Sequence, residues 1–147
     1  MGLWDRVLQA YARPGVPEAC LTLQDRHGQN TSLLLWAVFA EASDPDLLAR
    51  AAEAARAWDA TALVPLREAR RALKPPLPPF DAAARLALRE EVKTLELAAE
   101  RLLLETLEGL SGGGRGASAL QALEAASAAW GRPAPTEALA ELAAALA

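Results

Sequence analysis

The side chains able to do chemistry are few, and most fall in one short stretch. Tyr11, Cys20, Asp25 and His27, which include the only Tyr, Cys and His, lie in YARPGVPEACLTLQDRHGQNTSLLL, from Tyr11 to Leu35. Asp25 and His27 have the residue types of an acid–base pair, because a carboxylate orients an imidazole and raises its pKa. Their spacing works against that role, since side chains two apart on a helix point in different directions. Cys20 and His27 share a helical face but stand two turns apart, too far for direct contact. The simpler expectation puts His27 in the last turn of a helix, where a cation complements the dipole. Asp25 would then bond the loop backbone around Asn30 and Thr31. Cys20 lies on an apolar face with no basic neighbour to lower its pKa, so it reads as a small buried hydrophobe rather than a nucleophile. One His and one Cys fall short of the three or four ligands of a zinc site. The Glu-x-x-His pattern of carboxylate di-metal bundles is missing. Glu90, Glu91, Glu96 and Glu100 read as solvated charges on an outer face. No catalytic residue, metal or cofactor is assigned.

A second group is cationic. In LVPLREARRALK, Arg67, Arg70, Arg71 and Lys74 recur at i, i+3, i+4 and i+7 and line one helical face. Four cations less Glu68 leave a local +3 in a chain of formal charge −4. Such a stripe suits phosphates, a small anion or an acidic partner. A solvated face that complements acids on neighbouring helices is the plainer alternative. With the polar groups of the first stretch, it makes a candidate ligand-binding set of Gln24, Asp25, His27, Arg67, Arg70, Arg71 and Lys74. That set requires Asp25 or His27 to share a cleft with at least one arginine. Nucleic acid is disfavoured by the net charge, by the lack of stacking aromatics in the stripe and by the lack of a polar recognition helix.

The elements that hold these residues are helical throughout. The chain has 147 residues, 52% apolar and only 5% aromatic; such a length suits one domain, and an Ala- and Leu-rich composition favours helices. Leu3, Trp4, Val7, Leu8 and Tyr11 mark a first helix, ended by Pro14 and Gly15. A second starts at Pro17 and is capped by Gly28. Thr31 or Ser32 caps a third, whose body LLLWAVFA is apolar on every side and so central. Ser43-Asp44-Pro45-Asp46 starts a fourth, burying Leu48, Ala51, Ala52 and Ala55, with a break or kink between Trp58 and Pro65. A fifth runs to about Lys74. The proline-rich run from Lys74 to Pro79 reads as a stiff, extended connector. Asp81 caps a long sixth helix whose stripe is Leu88, Val92, Leu95, Ala99, Leu102, Leu103 and Leu107. Two short Ala-rich helices close the chain. The division is a bundle at 1–110, a flexible Gly-rich linker at 111–116, and a C-terminal helical pair at 117–147 that docks on the bundle or a partner. The fold class is an all-α bundle of about seven to eight helices, with one long helix and a C-terminal pair.

One cysteine rules out an internal disulfide and fits a reducing compartment. The N-terminus lacks a secretory pattern, and no segment reaches the roughly 18–20 apolar residues of a membrane span. These features predict a cytoplasmic protein with no membrane association.

Leu3, Trp4, Tyr11, Pro14, Gly15, Val16, Ala19, Cys20, Leu21, Leu23, Gln24, Asp25, Gly28, Leu33, Leu34 and Leu35 form a further pattern. It resembles a small family of uncharacterised proteobacterial proteins, with a Leu-Tyr-x-x-Pro-Gly-Val opening, an Ala-Cys-Leu-x-Leu-Gln-Asp-x-x-Gly run and a Leu-Leu-Leu run. Ala10 departs from it, standing where the pattern has Leu. The resemblance covers the first half of the chain. It implies a bacterial, cytoplasmic, all-helical domain and carries no activity, cofactor or catalytic residue.

The leading expectation is a non-enzymatic interaction or adaptor module that binds a protein partner, or itself, through the long helix and the C-terminal pair. The alternative is an anionic small-molecule binding protein, or an enzyme, with its site near Asp25, His27 and the Arg67–Arg71 stripe. The lack of a recognisable catalytic set weighs against an enzyme without deciding the matter.

Overall fold

A computed structural model describes residues 1–110 and 115–147; Ser111–Gly114, most of the predicted linker, lie outside the described residues. Every regular element among them is helical. The order is α1 (Leu3–Tyr11), α2 (Val16–His27), α3 (Thr31–Phe39), α4 (Pro45–Trp58), a π-turn (Asp59–Leu63), α5 (Val64–Ala72), α6 (Ala82–Glu108), α7 (Ala119–Trp130) and α8 (Thr136–Leu146). This is the all-α bundle that the helical periodicity predicts, with its long helix and C-terminal pair.

Gly15 turns the chain from α1 into α2 at φ +87°, a conformation that penalises any Cβ, and the Ala145 methyl of α8 would lie 3.5 Å from one. Gly28 closes α2 at φ +62°, and the following Gln29 N–H donates to Leu23 O at 3.0 Å. The cap of α3 is Asn30 rather than Thr31 or Ser32: Asn30 Oδ1 accepts from Leu33 N at 2.9 Å. All three residue types can cap. Asn30 is the one left in extended backbone, while Thr31 and Ser32 are buried in the first turn. From Thr31 to Ala37 every residue of α3 is buried, so it is the central rod, with α4, α6 and α7 against it.

Asp44 caps α4, accepting from Leu47 N at 2.9 Å, and Leu47, Leu48, Ala51, Ala52 and Ala55 face the core. The predicted break or kink takes the form of the π-turn Asp59–Leu63, through which the chain stays helical into α5. Pro65 directly follows the π-turn at the second position of α5, and a widened turn is a recognised way to accommodate a break in the hydrogen-bond ladder. Trp58 fastens the junction, its Nε1 donating to Ala99 O of α6 at 2.8 Å.

The proline run is not an extended spacer. It turns the chain back, with Phe80 N bonded to Leu77 O at 2.9 Å. As a result α6 returns antiparallel along α5. Arg85 Nε donates to Leu73 O at 3.0 Å and Arg89 Nε to Arg70 O at 3.2 Å. These guanidiniums satisfy carbonyls at the C-terminal end of α5 that the helix itself leaves unpaired.

The predicted stripe of α6 holds only in part. Its buried residues are Ala99, Leu103, Leu104 and Leu107, all in the C-terminal half. Leu88, Leu95 and Leu102 are about half exposed, because they stand to one side of the face that meets α3, α4 and α5. The N-terminal half of α6 and all of α5 bury no residue completely and form an arm. The C-terminal helices pack on the bundle, α7 across α3 and α4 and α8 along α2. Leu123, Ala126, Leu139 and Leu142 join the same core as Leu33 and Leu34.

Candidate functional site

An open cleft of about 670 Å³ lies where α2 faces the arm, lined by Leu21, Gln24, Asp25, Arg70, Arg71, Lys74, Pro75 and Arg89. Leu21, Gln24 and Asp25 come from one face of α2, as i, i+3 and i+4 spacing requires. Arg70, Arg71 and Lys74 come from the end of α5, and Arg89 reaches in from α6. Four cations against the single acid Asp25 leave a formal excess of +3 along this lining. Five residues of the sequence-derived set, Gln24, Asp25, Arg70, Arg71 and Lys74, thus line one cleft, and an arginine meets Asp25 there.

The cations differ in how they are held. Arg71 Nη2 reaches Asp25 Oδ1 at 3.2 Å, and both side chains are substantially exposed, so the pair contributes little to stability. This contact also corrects the expected role of Asp25, which pairs with the arm and not with the loop around Asn30 and Thr31. Arg70 Nε donates to Glu96 Oε1, whose side chain is only 15% exposed. Arg89 is committed through its Nε to the Arg70 carbonyl. The Lys74 ammonium and the Gln24 amide have no hydrogen bond or ion pair within the described residues. An incoming anion therefore meets one unengaged cation, one guanidinium in a weak exposed pair, and two that are held in place. That arrangement suits charge-assisted hydrogen bonding.

Arg67 and His27 do not line the cleft. Arg67 is half-buried and turned toward the π-turn and α6, where it acts on Asp59 and Glu100. Burial raises the Asp59 carboxyl above its usual range, against the Arg67 charge and the Asn30 hydrogen bond. His27 sits at the far end of α2, in a separate shallow groove with Arg26, Gly28, Trp130, Arg132, Pro133 and Pro135. There Trp130 Nε1 donates to Gly28 O at 2.8 Å, anchoring α7.

Cys20 is buried, and desolvation with the nearby Glu100 charge pushes its thiol up to about 11 against an opposing hydrogen bond from Tyr11. It is therefore a poor nucleophile at neutral pH. Burial likewise drives the Tyr11 hydroxyl well above its ordinary value, with the Cys20 charge adding to it. Glu96 and Glu100 are not the solvated charges their spacing predicts: both are partly buried, and burial, helped by Glu96, raises the Glu100 carboxyl. Arg89 was not singled out by sequence. Its signal was available in the proline turn, since a chain folded back there brings residues at similar distances on either side together. Among the described residues, no group of His, Cys, Asp and Glu has the arrangement to hold a metal ion. No helix among them is long and apolar enough to cross a membrane.

An all-α bundle with an open cationic cleft defines a class of helical protein without specifying a reaction. A family model described as "Protein of unknown function (DUF2390)" matches residues 2–107. That span is more than half of the chain, and the protein belongs to this family. No curated protein and no solved structure matches the chain.

Proposed function

We propose that this protein is a non-enzymatic interaction module that receives an acidic segment of a partner protein in the cleft between α2, α5 and α6. The observation that carries the proposal is the convergence of Arg70, Arg71, Lys74 and Arg89 in a chain of net charge −4. Three features favour a protein segment. The cleft is open. Leu21 lines it while 58% exposed, and Leu77 and Phe80 at the tip of the arm are similarly exposed. Acidic peptides that carry apolar side chains match both features, cations for affinity and on-rate and leucines for desolvated contact. A buried single thiol fits the reducing, cytoplasmic setting that belongs with this proposal.

The volume of the cleft also falls within the ~300–1,000 Å³ of small-ligand sites, which favours a free anion as the second reading. One titration distinguishes the two. A fluorescent peptide with Glu and Leu at helical spacing is added to the full chain and to the double variant Arg71→Glu, Lys74→Glu. Salt-sensitive binding that falls at least about tenfold in the variant is expected. If tripolyphosphate binds in an Arg71- and Lys74-dependent way while the peptide does not, the small-anion reading replaces the peptide one. Loss of both, or peptide binding indifferent to the double substitution, overturns the assignment of the cleft.

A further inference from the structure

A second cavity, remote from the cationic cleft in character, lies between α1, α3 and α6. Trp4, Leu8, Leu35 and Leu97 are among its apolar lining residues, and Tyr11, Ser32 and Glu100 are its polar ones, around a volume of about 240 Å³. Leu8 and Leu97 are each about half exposed, so the cavity opens to solvent beside them. Glu100 is the anomaly. Its carboxyl accepts no hydrogen bond and forms no ion pair within the described residues. An unpaired carboxylate in such a place is costly, and proteins normally provide it with a partner. Its oxygens are not sealed off, since no fully buried polar atom among the described residues lacks a hydrogen bond. Glu100 is also one of the residues that line the cavity.

We propose that this cavity binds a small primary amine with an apolar body, the ammonium held by Glu100 and the body by Trp4, Leu8, Leu35 and Leu97. A carboxylate with no hydrogen bond, among the lining of a largely apolar cavity, suits a cation that brings its own hydrogen-bond donors. An apolar cavity of ~150 Å³ accepts benzene, so this one has room for roughly nine or ten non-hydrogen atoms. That is the size of an arylalkyl amine. A nucleotide or a peptide segment is too large.

The groups facing Glu100 set the pH behaviour. They are Tyr11 of α1, Cys20 of α2, Arg67 and Arg70 of α5 and Glu96 of α6. Burial and Glu96 raise the proton affinity of Glu100, and the two arginines oppose this. Amine binding requires the ionised carboxylate, so affinity rises with pH through the elevated Glu100 titration. Stability moves the other way. The protonated folded form is favoured, so its contribution is complete below the ordinary carboxyl pKa and is lost as pH rises through the raised one. The neutral variant Glu100→Gln is therefore expected to fold at least as well as the natural chain at neutral pH.

The test is calorimetric titration of the full chain with 2-phenylethylamine and butylamine, with 2-phenylethanol as the uncharged match. Binding tighter than about 1 mM by at least one amine is expected, strengthening as pH rises above the ordinary carboxyl range. Glu100→Gln should lose at least about tenfold while its circular dichroism stays that of the natural chain. Leu97→Trp, a change at the exposed mouth, should block binding with the carboxyl intact. The proposal is overturned if neither amine binds, if the alcohol binds as well as the amine, or if Glu100→Gln binds unchanged.

Discussion

Ser127 shows how much one side chain can hold. It is completely buried, its Oγ donating to Gln29 Oε1 at 2.8 Å and accepting from Ala134 N at 2.8 Å. Gln29 Nε2 in turn donates to Arg132 O at 2.9 Å and His27 O at 3.2 Å. The turn between α2 and α3 is thereby joined to α7 and to the loop before α8. Ser127→Ala leaves the Gln29 oxygen and the Ala134 N–H unsatisfied in a buried place. The expected loss is about 2–4 kcal/mol, read as a lower urea midpoint with an unchanged slope. Neither Ser127 nor Glu100 is conspicuous in sequence. A serine in an Ala-rich helix and a glutamate at i+4 from another look like surface residues, and local spacing says nothing about what a distant helix brings against them.

At the scale of elements, α6 is two different helices in one. Its C-terminal half lies in the core and its N-terminal half belongs to the arm. Leu104 is 1% exposed and Leu95 is 56% exposed. Leu104→Ala is expected to cost about 2–5 kcal/mol, and Leu95→Ala about 0.5 kcal/mol or less, when both are measured by chemical denaturation. Equal costs would mean that the Leu88–Leu95–Leu102 row is covered in solution. The helix starts and stops were legible because caps and prolines act locally. Asp81 and Gly28 cap as their sequence positions predict, and of Ser43 and Asp44 it is Asp44 that caps α4. Asn30 displaced Thr31 and Ser32, and the proline connector became a turn, because neighbouring helices decided which of several locally allowed conformations is packed.

For the whole molecule, the boundary of the family match is not a boundary of the fold. Residues 2–107 match, while α7 and α8 lie beyond them and still place Leu123, Leu139 and Leu142 in the common core, each at most 2% exposed. Burying one leucine contributes ~1.5–3 kcal/mol, so these three rival the ~5–15 kcal/mol net stability of a domain. A chain ended at Leu110 is expected to lose cooperative thermal unfolding and to elute as aggregate in size-exclusion chromatography. A sharp melt near that of the full chain would show that α1 to α6 fold alone and that the C-terminal pair is an appendage.

From the residues alone came the helical class, most of the helix limits, the central place of the Leu33–Ala40 segment, and the cationic face of α5. All of these follow from contacts between residues three or four apart, or from the backbone demands of Gly, Pro and capping side chains. Tertiary packing alone decided which flank of α6 is buried, that Arg89 joins Arg70, Arg71 and Lys74 opposite Asp25, that Arg67 and His27 stand elsewhere, and that Glu100 lies unpaired beside a cavity. Periodicity marks a face on a helix. What covers that face is set by chain segments tens of residues away, whose approach depends on every other helix in the bundle.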